Sequence, residues 1–213
     1  MRNLDGILLE PVGCLAEFPA EPFHEIARRL LGRRGKLSAS GSRCYWHLLK
    51  RVGEFSPQTL AEALEIEAVN AAALYEDAVP ALAELKAMGI HLSIASSLSG
   101  AAITCFLEKH SLGGFFTDVW HRDNAGGVQA VPLIRALCGA SLQPENVMFL
   151  TDTVEGIKVA RSAGVHPVLM MNDPDEARRL AMRSPSGGVV SLHEIPDFIR
   201  LVAAQNRTGQ LDG

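Results

Sequence analysis

Short apolar runs alternate along this chain with longer segments whose apolar positions recur every three to four residues. The runs at Ile7 to Leu9, Ile90 to Ala95, Phe115 to Trp120, Val147 to Leu150, Val165 to Met171 and Val189 to Val190 are mostly bounded by Gly, Pro, Asp or Ser and read as strands. Between them, Asp77 to Met88, Gly100 to His110 and Thr153 to Ala163 carry helical spacing. The first and last of these stop at Gly89 and Gly164, the residue type that most readily takes the left-handed turn closing a helix. This βαβα order predicts an α/β fold with a doubly wound parallel sheet. Its ligand crevice should lie beyond the carboxyl ends of the strands.

One stretch breaks the rhythm. From about Phe18 to Tyr75 the chain is too long for an ordinary βα connection, and Glu21 to Leu31, Cys44 to Val52 and Pro57 to Leu74 all carry helical apolar spacing. An inserted helical domain at 18–75 is the economical reading, with a Gly- and Ser-rich joint at Gly32 to Ser42. The main domain is then 1–17 together with 76–204, and the polar tail 205–213 is expected to be disordered.

Composition changes this picture little. The chain has 213 residues, 47% hydrophobic and 21% charged, which suits a globular α/β domain with a sizeable core. Its formal charge of -4, with no dense basic run, gives no electrostatic footprint for nucleic acid or an anionic membrane. The short cluster Arg28, Arg29, Arg33 and Arg34 reads as a solvated helix face. Four cysteines, Cys14, Cys44, Cys105 and Cys138, are scattered without paired spacing, which argues for a reducing compartment and against a zinc or disulfide framework. The N-terminus lacks a signal-like run, and no apolar stretch approaches the roughly 18 residues that span a bilayer. A cytoplasmic protein is expected.

The candidate chemistry sits at strand ends. Gly6-Ile7-Leu8-Leu9 runs into Glu10-Pro11-Val12-Gly13-Cys14-Leu15, a later strand ends in Ser96-Ser97, and another ends in Thr151-Asp152. In this order, and with the helical insertion after the first strand, these segments resemble the haloacid dehalogenase-like (HAD-like) hydrolase superfamily with a helical cap. Ser93 to Ser99 and Asn146 to Asp152 look most like its enolase-phosphatase branch. An alternative register on Asn3-Leu4-Asp5-Gly6 is set aside because only Met1 and Arg2 precede Asn3, too few for a strand.

The resemblance assigns roles that this sequence fills only in part. In the family an aspartate attacks phosphorus, and a second acid two residues on protonates the leaving group and later activates water. Glu10 stands at the nucleophile position and Val12 at the acid/base position. Moving a reacting carboxylate by about 1 Å can cost on the order of a hundredfold in rate, and an isopropyl group carries no proton. The phosphate-binding hydroxyl falls on Ser96, with Ser97 beside it; against this, Ser97 or Ser99 could simply cap the following helix. The family lysine aligns with Gly127, or with Gln129 after a two-residue gap, and no lysine occurs anywhere from His110 to Ile157. Arg122 could substitute for it; pairing with Asp123 or facing solvent is the plainer reading. Magnesium, the cofactor the resemblance implies, could be held weakly by Glu10, the Val12 carbonyl and Asp152. Glu155 is a doubtful further ligand, and Asp152 could equally cap the next helix. Cys14 could be a reactive thiol, but a buried inert one is the plainer reading. Tyr45 and Trp46 read as core of the insertion or its contact with the main domain.

The resemblance thus implies a phosphatase-type homologue with little or no activity, whose ligand would be a small phosphorylated molecule. The alternative is an active magnesium-dependent phosphomonoester hydrolase using Glu10 and Asp152. Apolar faces on the insertion and on the last helix, around Leu192 to Ala204, could support a homo-oligomer.

Overall fold

The computed structural model describes residues 4–31, 43–46, 48, 58–171, 178 and 182–208. Its centre is a six-stranded parallel sheet of order β5-β4-β1-β6-β7-β8, flanked by helices. The strands are β1 (Gly6–Leu9), β4 (His91–Ala95), β5 (Asp118–Trp120), β6 (Val147–Thr151), β7 (His166–Met170) and β8 (Gly187–Val189). β1 and β6 are buried along their whole length, as the uninterrupted apolar runs GILL and VMFLT require of strands covered on both faces.

Register decides where chemistry can occur. Leu9, the last residue of β1, pairs with Ile94 of β4 on one side and Leu150 of β6 on the other. The carboxyl ends of these three central strands therefore lie level, and Glu10, Ser96 and Asp152 follow within two residues of them. The chain leaves β1 toward β4 and leaves β6 toward β7, in opposite directions along the sheet, so a crevice opens between them.

Helical boundaries follow local chemistry. α3 (Ala78–Ala87) is followed by Gly89 at φ +77°, while α4 (Gly100–Lys109) begins at Ser99, whose hydroxyl accepts from the Ala102 N–H at 3.2 Å. α7 (Val154–Ser162) is capped by Thr153, which accepts from the Gly156 N–H at 3.1 Å. Capping thus falls to Ser99 and Thr153, not to Ser97 or Asp152. α5 (Arg122–Ala125) and α6 (Ala130–Ala140) fill the β5–β6 connection. The sequence pattern did not mark α6, because apolar residues occur nearly all round it; Pro132 lies in its first turn, where its missing N–H costs nothing.

Strand β5 is shorter than the expected Phe115 to Trp120, because a 3-10 turn at Gly113–Phe115 precedes it and pairing with β4 starts only at Asp118. In the segment between β1 and β4, α1 (Ala20–Leu31) packs on α2 (Gln58–Ala71), and α2 also packs on α4. Residues 43–46 are helical, whereas the joint at 32–42, residues 49–52 and Pro57 lie outside the described residues. Leu74, expected in helix, instead belongs to β3 (Ala73–Leu74), which pairs antiparallel with β2 (Ala16–Glu17). This ladder brings the start and the end of the segment together, and the Tyr75 N–H adds a bond to the Leu15 carbonyl at 3.0 Å. Helical spacing of a few apolar residues cannot register a partner strand almost sixty positions away.

α8 (Glu194–Thr208) continues into the expected tail as far as Thr208. It packs on α3, and Leu192, Ile195 and Ile199 are buried there. The apolar face that suggested pairing with another copy is thus largely used within the chain. Among the described residues no helix is long and apolar enough to cross a membrane.

Candidate active site

The site grows from the end of β1. Glu10 is 1% exposed, and both of its carboxyl oxygens are engaged. Ser96 Oγ donates to Oε1 at 2.7 Å, with the Val12 N–H at 3.5 Å. Oε2 lies 3.4 Å from the Ser97 N–H and 3.3 Å from the Tyr45 hydroxyl. Burial pushes the Glu10 carboxyl up from 4.5 to about 8, and the bonds from Ser96, Val12, Ser97 and Tyr45 offset it only in part. Burial thus disfavours the ionised carboxylate, while the donors around it favour that form. Ser96 and Ser97 do converge on it, while Tyr45 arrives from the inserted segment.

Val12 is wholly buried in the hydrophobic core. After it Gly13 turns at φ +78°, and a Cβ there would collide with the Asp152 carboxylate. The loop thus lies directly against Asp152, and only glycine permits that approach. Cys14 is buried, and its thiol is held well above the ordinary range by burial, with the charges of Asp152 and Glu10 adding to it. A thiol so protonated is inert toward nucleophilic chemistry.

At the lysine position the two alignments separate. Gly127 sits in the turn after α5, its N–H on the Arg122 carbonyl at 2.9 Å and its open side facing Val131. Gln129 donates its N–H to Ser97 Oγ at 2.8 Å and takes φ +62°, ψ −109°, a backbone conformation unusual for any residue with a side chain. Main chain at Gln129, then, is what reaches the site loop, and neither residue brings a charge.

Arg122 does not face solvent. It is 6% exposed; its Nη1 donates to Glu65 Oε1 at 2.5 Å and to the Ser97 carbonyl at 3.3 Å, while Nε lies 3.7 Å from Asp123. Glu65 Oε2 in turn accepts from the Ser99 N–H at 3.1 Å. Burial pushes the Glu65 carboxyl up, with Arg122 pulling it back. Burial also opposes the Arg122 charge, but Glu65 outweighs it and holds the guanidinium protonated. The pair bridges α2 to the loop that carries Ser96 and Ser97. Glu65 had a sequence signal: it lies on the apolar stripe Ala61, Leu64, Ala68, Val69 and Ala72, an acid where burial is expected. Tyr45 had none beyond being an aromatic with a polar tip.

The donor set suits magnesium poorly. Both Glu10 oxygens are taken up by chain donors, Val12 offers its backbone carbonyl only, and Glu155 sits in the first turn of α7, where an acid favours the helix terminus. Asp152 is the other carboxylate among the three proposed ligands, and it lies against Gly13. Among the described residues no group of three or more His, Cys, Asp or Glu side chains is clustered.

A parallel sheet with an acidic residue ending its central strand and serines ending the next defines a class, and comparison with known proteins gives it a name. A family profile described as haloacid dehalogenase-like hydrolase matches residues 40–170. The chain belongs to that family. Enolase-phosphatase E1 of Xenopus tropicalis is 29% identical over 130 residues, covering 57% of this chain and 48% of the relative. Its counterpart from Persephonella marina is 30% identical over 109 residues, covering 50% and 48%. The chain thus spans about half the length of the curated relatives it matches. Among solved structures, a haloacid dehalogenase-like hydrolase from Streptococcus pneumoniae superposes with a TM-score of 0.71 at 16% identity, covering 93% of this chain and 99% of that one. L-2-haloacid dehalogenase from Xanthobacter autotrophicus gives 0.63 at 16% identity, covering 92% and 98%. These superpositions establish a shared fold.

Proposed function

We propose that this chain is a phosphatase-type member of the family in which hydrolysis is lost or very slow, with residues 18–75 forming the helical cap. The observation that carries this reading is the state of Glu10. A nucleophile must present an ionised oxygen toward phosphorus, whereas this carboxyl is buried, disfavoured in its charged form by that burial, and hydrogen-bonded through both oxygens.

The neighbouring losses point the same way. Val12 cannot protonate a leaving group, and the uncharged Gly127 and Gln129 cannot neutralise a phosphoryl group. Groups of this kind act as a unit, so losing several leaves little of the rate enhancement. The donor set supports no dedicated magnesium site. What the pocket keeps is a set of donors, Ser96 Oγ, Ser97 N–H and the Tyr45 hydroxyl, suited to a small phosphorylated molecule or another oxyanion if Glu10 gives them up.

The test is hydrolysis of p-nitrophenyl phosphate by the purified chain, with and without magnesium, beside Glu10→Ala. Equal, background-level rates are expected. Magnesium-dependent turnover that Glu10→Ala abolishes would establish the opposite, a working hydrolase built on Glu10 and Asp152.

A further inference from the structure

Lys109, the final residue of α4, sends its ammonium away from its own helix to the end of α2. There Nζ donates to the Val69, Asn70 and Ala72 carbonyls at 3.1, 2.8 and 2.9 Å. A helix end leaves its last carbonyls short of partners and gathers partial negative charge, and α2 has no basic residue in its own last turn. Lys109 supplies from α4 the cation that α2 lacks. Further back along α2, Glu65 accepts from the Ser99 N–H at 3.1 Å through Oε2 and from Arg122 through Oε1, so both of its oxygens are satisfied by groups of the main domain. Between these ties, Cys105 Sγ of α4 stands 3.5 Å from Asn70 Oδ1. The chain after α2 is fastened as well. Beside the β2–β3 ladder, the Tyr75 N–H bonds to the Leu15 carbonyl at 3.0 Å, and its hydroxyl stands 3.3 Å from Glu17 Oε2 and 3.5 Å from the Gly13 carbonyl.

We propose that α2 is a fixed brace of the main domain and not a moving part of the insertion, with Lys109 and Glu65 as its fastenings. Its task is to hold the loop from Ser97 to Ser99, and this is independent of whether Glu10 hydrolyses anything. Lifting α2 would return Glu65 and the carbonyls around Lys109 to water while exposing the buried residues Ala61, Leu64, Ala68, Val69 and Ala72. The polar exchanges come close to breaking even, because water replaces each lost bond. The apolar exposure does not, at about 25 cal/mol for each Å². Apolar burial therefore gives the brace its strength. The polar ties give it its position, since each holds one atom within hydrogen-bond length of another. Through Glu65 that position reaches the site: directly at the Ser99 N–H, and by way of Arg122 at the Ser97 carbonyl, 3.3 Å from Nη1. Glu65 and Lys109 are thus positioning residues.

The experiment is residue-resolved amide exchange, read by NMR on the full chain. Ser99 is the reporter, because it is wholly buried and its N–H bonds to Glu65, so lifting α2 frees that proton without unfolding the sheet. Its protection factor should lie within about tenfold of the most protected amides of β6, and a lower one overturns the brace. Lys109→Glu sets an anion against the three carbonyls and should lower Ser99 protection at least about tenfold relative to β6, whereas Lys109→Arg, which keeps the cation, should stay near wild type. If Lys109→Glu does not fold, Lys109→Met replaces it, with a fall of about threefold or more expected. An unchanged ratio in the folded variant overturns the role of Lys109. The wild-type measurement needs no variant and tests the brace by itself.

Discussion

Glu65 and Arg122 form an ion pair at 2.5 Å in which neither side chain is more than 6% exposed. Breaking such a pair from one side is costly, because the surviving charge has no water to turn to. Arg122→Met should lower unfolding free energy by about 3–5 kcal/mol, and the double substitution Glu65→Leu with Arg122→Met should recover most of the loss. Urea denaturation reads both. A single-variant loss below about 1 kcal/mol would show that solvent reaches the pair.

Glu10 makes stability depend on pH in the direction opposite to an ordinary paired carboxylate. Its folded value of about 8 lies above the ordinary 4.5, so between the two the folded chain holds a proton that the unfolded chain has released. The neutral acid's contribution is fully present below 4.5, and is lost as pH rises through about 8. Integrated over that window, the loss is of the order of 4–5 kcal/mol. Glu10→Gln, neutral at every pH, should match wild type near pH 4 and exceed it increasingly toward pH 9. Parallel stability curves for the two proteins across that range would disprove the assignment.

Val12 sets a stability cost on placing an acid at its position. It is fully buried among apolar neighbours, so Val12→Asp places a carboxyl where nothing is positioned to solvate it. A cost of about 3 kcal/mol or more is expected, corresponding to a fall in Tm of roughly 6–12 °C for a chain of this size. Differential scanning calorimetry checks it; an unchanged midpoint would mean that the loop opens to water.

Gln129 occupies a backbone conformation at φ +62° that disfavours any side chain, yet its N–H is the one that reaches Ser97 Oγ. Gln129→Gly keeps that bond and relieves the strain. It should be neutral or stabilise by about 1 kcal/mol, against the loss of about 0.5–1 kcal/mol usual when glycine stands in an unstrained regular conformation. Chemical denaturation decides between them.

Much of the fold was legible because its signals are local. The apolar runs GILL and VMFLT bury both faces of a strand wherever they are placed, and Gly89 and Gly164 mark where helices stop, so strand order along the chain and the α/β class followed from the sequence. The alignment of Glu10, Ser96 and Asp152 at strand ends was legible too, since each immediately follows a run of strand residues.

What the sequence could not supply were relationships set by distance in space. Helical spacing carried Pro57 to Leu74 as one helix, whereas pairing with Ala16 and Glu17 turned its end into a strand. Arg122 looked like a surface residue because its neighbours Asp123 and Asn124 are polar; only packing of α2 over its loop buries it against Glu65. Tyr45 reaches Glu10 by the same packing. The sequence by itself determined which residue types stand at the strand ends, Glu10 and Val12 after the first, and that no lysine lies between His110 and Ile157. The tertiary structure decided that Glu10 is buried and held by Ser96, Ser97 and Tyr45, because desolvation and that convergence are properties of the packed chain and of no single segment.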